Sequence, residues 1–243
     1  MLYDQAQLSV AYSYAYQATK EEKFSAIVED ILTYVKRDLG HPLGAFYSAE
    51  DADSKACESD EHKREGAFCV WTYQQLTTLL KKHTFQGNDK KEHSLLEICE
   101  AYFKVKPGGN VDPRGDPHGE LKNQNHLTTI GIDKIENIVA DFGLENEAAL
   151  LSKVKEIQEI LYAERQKRPR PHLDNKILTS WNGLMISGFA VSGMALLQKR
   201  PEYIEIAVQA AEFVRFAYTR GGNWGSSGIS KSLLCLISAA MMS

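Results

Sequence analysis

The sequence is poor in the features that assign a chain quickly to a class. Its 243 residues include four cysteines, Cys57, Cys69, Cys99 and Cys235, with no CxxC pair and no zinc-finger spacing. A disulfide scaffold and a structural metal site are not expected, and free thiols in a reducing compartment suit a chain of this size. Long apolar runs are missing too: Leu233 to Met242 is uncharged, but at about ten residues it is too short for a bilayer span. The first residues, Met-Leu-Tyr-Asp-Gln, lack the basic and apolar regions of a secretory signal. The chain therefore reads as soluble, with the cytoplasm as default compartment and secretion only through a signal upstream in a parent protein. There is little excess charge of either sign, the net value being -4 with a pI near 6.0, so neither a nucleic-acid nor a membrane partner is expected. The one dense basic run, Arg165 to Arg170, reads as a solvated helix end, where cations favour the carbonyl-rich terminus.

What is present is an ordinary globular balance, 43% hydrophobic and 25% charged, enough to bury one large core or two modest ones. Apolar residues recur at helical spacing in several places. Asp4 to Thr19 places Leu8, Ala11, Tyr12, Ala15 and Tyr16 on one stripe, and Glu21 to Leu39 repeats the pattern before Gly40. From His41 to Trp71 the helical period is lost, and Gly44 to Tyr47 and Ala67 to Trp71 read as a small strand pair carrying an acidic loop. Thr72 and Gln75 stand in capping-box register ahead of Leu76, Leu79 and Leu80. Further helices are expected over Glu92 to Phe103, Ile132 to Phe142, Glu145 to Arg165 and Glu202 to Tyr218. Asn110 to Asn125 reads as a polar loop.

Arg168 to Ile186 is the sharpest transition. Pro169 and Pro171 stop the preceding helix, polar residues follow, and the chain then runs apolar on nearly every face from Ile177 to Leu197. A helix apolar all round is expected inside. Helix pairs in series, with one helix too apolar for the outside, predict two helical layers, closed or partly closed into a toroid.

Candidate chemistry clusters in the same segments. His172 with Asp174 pairs an imidazole that titrates near neutrality with a carboxylate able to orient it; the alternative is a helix cap and a plain loop histidine. Trp181 and Asn182 lie one turn into the helix, either core and loop tie or an indole face beside an amide that bonds hydroxyls. Glu50, Asp51 and Asp53 form an acidic group beside Tyr47, either acid and base for glycoside chemistry or an acidic turn. A calcium loop fails on spacing, because counting from Asp51 puts Ala56 at the glycine position and His62 at the bidentate position. His118 and His126 are candidates to complete a histidine pair with His172.

The segments MLYDQAQL (Met1 to Leu8), FYSAEDADS (Phe46 to Ser54), EGAFCVWT (Glu65 to Thr72) and Arg168 to Ile186 resemble the helical region of the spermatogenesis-associated protein 20 family. The resemblance implies a predominantly all-α fold, a partial (α/α)6 toroid of the six-hairpin glycosidase type with small β insertions. It spans residues 1 to 220, followed by an atypical tail over residues 221 to 243. The family's thioredoxin-like domain is missing, so no redox activity is carried over. Asn175 stands where the family usually shows an acid, and Cys69 where an aromatic is common.

For an enzyme, the resemblance implies a carbohydrate ligand and sugar epimerisation or isomerisation without a cofactor. His172 would exchange the proton, Asp174, Glu50, Asp51 and Asp53 would set its charge, and Tyr47, Trp181, Asn182, His118 and His126 would hold the sugar. Fold alone does not imply function. Two alternatives accompany this expectation. One is a non-catalytic interaction or regulatory module linked to spermatogenesis and fertility, binding a protein partner at the exposed flank of an incomplete ring. The other is an inactive truncated isoform.

Overall fold

The computed structural model describes residues 1–112, 114, 116, 119–129 and 135–219. Their fold is predominantly helical and divides into two compact units, Met1–Asp51 with the chain from His172 onward, and Ala52–Pro171.

The first unit holds helices α1 (Leu2–Thr19), α2 (Glu22–Asp38), α7 (Thr179–Ala195) and α8 (Glu202–Thr219), with strands β1 (Ala49–Glu50) and β8 (Leu173–Asp174). α1 ends at Lys20, whose left-handed backbone lets its N–H reach the Tyr16 carbonyl, and α2 follows at once. α2 is amphipathic as its spacing predicts, with Val28, Leu32 and Val35 fully buried. The turn between α7 and α8 is tied to α2 by ion pairs Lys199–Glu22 and Arg200–Glu29.

α1 departs from expectation. Its buried line is Leu2, Ala6, Ser9 and Ser13, and Leu8 from the expected stripe is exposed. The reason lies on α7, which packs along α1 and presents Gly188 and Ser192 to it. A Cβ added at Gly188 would fall 2.6 Å from Ser9 Oγ and 3.3 Å from the Ala6 carbonyl, so large side chains have no room at this crossing. The buried hydroxyls are satisfied locally: Ser9 donates to the Ala6 carbonyl at 2.8 Å, Ser13 to the Ser9 carbonyl at 2.7 Å, and Ser13 and Ser192 share a 2.9 Å bond. α7 is likewise not wholly interior. It buries Met185, Gly188, Phe189, Ser192 and Gly193 between α1 and α8 but leaves Leu184 and Met194 exposed.

The second unit contains β2 (Asp53–Ser54), β3 (Arg64–Glu65), β4 (Trp71–Thr72), α3 (Tyr73–Leu80), β5 (Thr84–Gln86), β6 (Glu92–Ser94), α4 (Leu95–Phe103), β7 (Gln124–Asn125), α5 (Ile135–Asp141) and α6 (Glu147–Arg165). Its core is built of large side chains, among them Trp71, Leu76, Leu80, Leu95, Ile98, Leu150 and Ile157. The Thr72–Gln75 capping box forms as its spacing predicts, with both reciprocal bonds present. A second one, Ser94–Glu97, starts α4 and splits the helix expected from Glu92. The residues before it pair as the β5–β6 hairpin, Phe85 opposite His93.

The strand pair expected between Gly44–Tyr47 and Ala67–Trp71 does not form. Phe46 bridges Gly40 within the first unit, whereas β4 pairs with β7 and β2 with β3 in the second. The basic run is also not uniformly solvated. Arg168 is only 8% exposed: its Nη1 donates to the carbonyls of Ala67, Phe68 and Val70, and its guanidinium lies 4.0 Å from the Trp71 ring centroid. A cation that fastens a turn through three carbonyls leaves no trace in hydrophobic periodicity.

Candidate functional site

β1 and β8 cross antiparallel in the first unit, Ala49 opposite Asp174 and Glu50 opposite Leu173. The Asp51 N–H continues the ladder, donating to the His172 carbonyl at 2.8 Å. Side chains alternate across a pleat, so this register sorts the predicted residues onto two faces. Glu50 shares a face with Leu173, which packs against the helical core. Consistently, the Glu50 carboxylate accepts a 2.8 Å bond from Tyr34 of α2. Asp51, His172 and Asp174 fall on the opposite face, where Asp51 and His172 are exposed.

Asp174 is engaged on that face. Lys176 Nζ lies 2.6 Å from its carboxylate, and this bond holds its pKa below the usual aspartate value. The Asp174 carbonyl accepts from the backbone N–H and the hydroxyl of Ser48. Tyr47, just before, sets its N–H on the Leu39 carbonyl and its ring edge-on to His41, 5.3 Å between centroids.

Asn182 is 0% exposed. Its Oδ1 accepts from the Phe46 N–H at 2.8 Å, and its Nδ2 donates to the carbonyls of Phe46 and Leu178. The amide thus pairs both backbone groups of a residue 136 positions away. That lets Phe46 stack on Phe189, 5.3 Å between centroids, inside the core. Trp181, half-buried, packs against the same core and meets Tyr3 edge-on at 4.8 Å.

The remaining predicted residues are elsewhere. Asp53 belongs to β2 of the second unit, paired in register with Glu65. His126 is exposed in that unit, its backbone pinned by Asn110. His118 lies outside the described residues. The fold therefore brings Tyr47, Glu50, Asp51, His172, Asp174, Trp181 and Asn182 into one unit, with Asp53 and His126 in the other.

Among the described residues no group of three histidine, cysteine or acidic side chains is arranged to hold a metal, and no helix is long and apolar enough to cross a membrane. The second unit contains a cleft of about 470 Å³ whose walls include Cys57, Trp71, Thr72, Gln75 and Lys167, and none of the predicted site residues lines it. Burial pushes the Cys99 thiol up to about 12, which leaves it protonated and inert at neutral pH.

Three residues that the sequence did not single out complete the crossing: Tyr34, Ser48 and Tyr3. Ser48 lies within the quoted FYSAEDADS segment and could have been found there. Tyr3 likewise lies within the quoted MLYDQAQL segment, whereas Tyr34 carries no local signal, since its partner is reached only through tertiary packing.

No protein-family model matches the chain. It is similar to human spermatogenesis-associated protein 20, at 41% identity over 88% of this chain and 26% of that protein. The rat protein of the same name is 41% identical over the same shares. An uncharacterized protein of Caenorhabditis elegans is 38% identical over 88% of this chain and 28% of its own length. The chain thus spans about a quarter of the length of the curated relatives it matches.

Proposed function

Because the chain belongs, over most of its length, to the spermatogenesis-associated protein 20 family, we propose that it serves as a non-catalytic interaction or regulatory module in a process linked to spermatogenesis. The observation that carries this reading is the use made of the polar residues at the β1–β8 crossing. Asn182 is spent on the backbone of Phe46, Glu50 accepts from Tyr34, Asp174 is held by Lys176, and Trp181 is packed on Tyr3. Groups committed to holding a fold are poorly placed to bind a sugar or move its protons. The incomplete (α/α)6 toroid belongs to this proposal, supported by the packed pairs α1–α2 and α7–α8. The partner surface is the outer side of α7 with its C-terminal turn, where Leu184, Met194 and Leu197 are exposed.

A second reading, sugar epimerisation or isomerisation, has one observation in its favour: Asp51, His172 and Asp174 share a face and His172 is open to solvent. Exchange of the C2 hydrogen of a panel of aldoses in heavy water separates the two. The expected result is no exchange above the protein-free rate. A stoichiometric complex isolated from germ-cell extract should survive His172→Ala and dissociate with Met194→Glu. Protein-dependent exchange that disappears in His172→Ala overturns the interaction reading in favour of catalysis.

A further inference from the structure

A buried cation short of an anion stands in the wall of the cleft of the second unit. Arg168 is 8% exposed and lines that cleft. Its Nη1 is engaged by the carbonyls of Ala67, Phe68 and Val70, but its Nη2 has no hydrogen-bond partner among the described residues. A buried polar group left unpaired is costly, the more so when it carries charge. Burial, and after it the charge of Arg165, push the pKa of the guanidinium down, the direction that a missing counter-ion produces. Glu164, on the same wall, does not supply the missing charge, because Lys167 holds it at 2.6 Å.

The start of α3 opens on the same cleft through Thr72, Gln74 and Gln75. The Arg168 guanidinium lies 4.0 Å from the ring centroid of Trp71, the residue just before the Thr72 cap, so the buried cation adjoins the helix terminus. The capping box uses the N–H groups of Thr72 and Gln75. Those of Tyr73 and Gln74, in the first turn, have no carbonyl to reach within the helix. Backbone donors at a helix start attract an anion, and a planar guanidinium fork matches a carboxylate. Once Lys167 is paired with Glu164, the charges left on the wall are Arg168 and the exposed Glu58, so a single negative charge is accommodated and a second one is repelled. A volume of about 470 Å³ suits a small organic molecule.

We propose that the cleft between Arg168 and the start of α3 binds the carboxylate of a small, singly charged organic molecule. The site is independent of the partner surface on α7. Titration of the isotope-labelled full chain with N-acetylglycine, followed by NMR, is expected to move the backbone amide signals of Tyr73 and Gln74 and the side-chain Nε–H signal of Arg168 together, along one saturation curve. The uncharged N-acetylglycinamide should move none of them, and sulfate, a dianion, should bind about tenfold more weakly or worse. Arg168 also fastens a turn, so the variants leave it in place. Gln74→Glu sets a carboxylate in the first turn of α3, where acids suit the helix, and should weaken N-acetylglycine about tenfold or more by like-charge repulsion. Glu58→Gln, at an exposed position, should narrow the gap between sulfate and N-acetylglycine. The proposal is overturned by the absence of saturable shifts, by an equal response to the amide, by an Arg168 signal that stays still, by sulfate binding as tightly as the carboxylate, or by unchanged binding in Gln74→Glu.

Discussion

The two units solve the same problem with different materials. The second buries large aliphatic and aromatic side chains and starts α3 and α4 with paired capping boxes. The first also has large residues, Phe189 and Leu32 among them, but its central contact is α1 against α7, where serine, alanine and glycine meet. Large side chains stabilise by the apolar area they remove from water and hold helices about 8–10 Å apart. Small ones let two backbones approach until hydroxyls reach across, so position matters more than volume. The difference teaches that burial and hydrophobicity are separate properties. In α1 the most buried positions after Leu2 include two serines, while a leucine faces out.

The contrast can be broken or sharpened by substitution, taken from the largest expected effect downward. Ile157→Ala in the second unit removes a fully buried side chain and should cost about 3–4 kcal/mol in chemical denaturation. Next comes Asn182→Ala in the first unit. It strands the buried N–H and C=O of Phe46 and should cost about 2–3 kcal/mol, although almost no apolar area is lost. A loss well under that value would mean that Phe46 finds other partners and that the polar tie is dispensable.

Gly188→Ala is the most diagnostic. In a solvent-facing helix this change gains up to about 1 kcal/mol, whereas here the added Cβ meets Ser9 Oγ and the Ala6 carbonyl and should lose about 1–2 kcal/mol. A gain would show that α1 and α7 are less tightly opposed than described. Thr72→Ala should cost about 1 kcal/mol by removing the cap of α3. The smallest effect concerns Asp174. Its folded pKa is depressed, so its contribution is present above the unfolded aspartate value and is lost as pH falls through the folded one. Wild type and Asp174→Asn should therefore differ slightly at pH 7 and converge below about pH 4 in a melting-temperature profile.

The same contrast governs what could be read from the sequence. α2, α3 and α6 have the apolar spacing of ordinary amphipathic helices, and the Thr72 capping box is a local signature, so these elements were legible. The α1 stripe was legible only in part: Tyr12 and Tyr16 do pack against the core, but periodicity weighs leucine above serine, so it turned Leu8 inward in place of Ser9 and Ser13, and the surface they meet is a glycine 182 positions from Ala6. Strand partners failed for a related reason. β1 pairs with β8 and β4 with β7, each across a long stretch of chain, and two-residue strands carry too little pattern to name their partners. Of the candidate site residues, the fold brings Tyr47, Glu50 and Asp51 into one unit with the His172–Asn182 segment, while Asp53 falls in the other. The sequence could not sort their faces, because that depends on register: Ala49 opposite Asp174 sends Glu50 inward and Asp51 outward.

The pairing of β1 with β8 also sets a schedule. The first unit is interrupted by the entire second one, about 120 residues from Ala52 to Pro171. As the chain leaves the ribosome, α1 and α2 emerge before the second unit, while α7, which should cover Leu2, Ala6 and Ser9, is not yet made. At about 5–20 residues per second the wait is on the order of ten seconds, during which the inserted unit can complete its own core. An α1–α2 hairpin with a bare inner face then persists until α7 follows β8 and covers Leu2, Ala6 and Ser9.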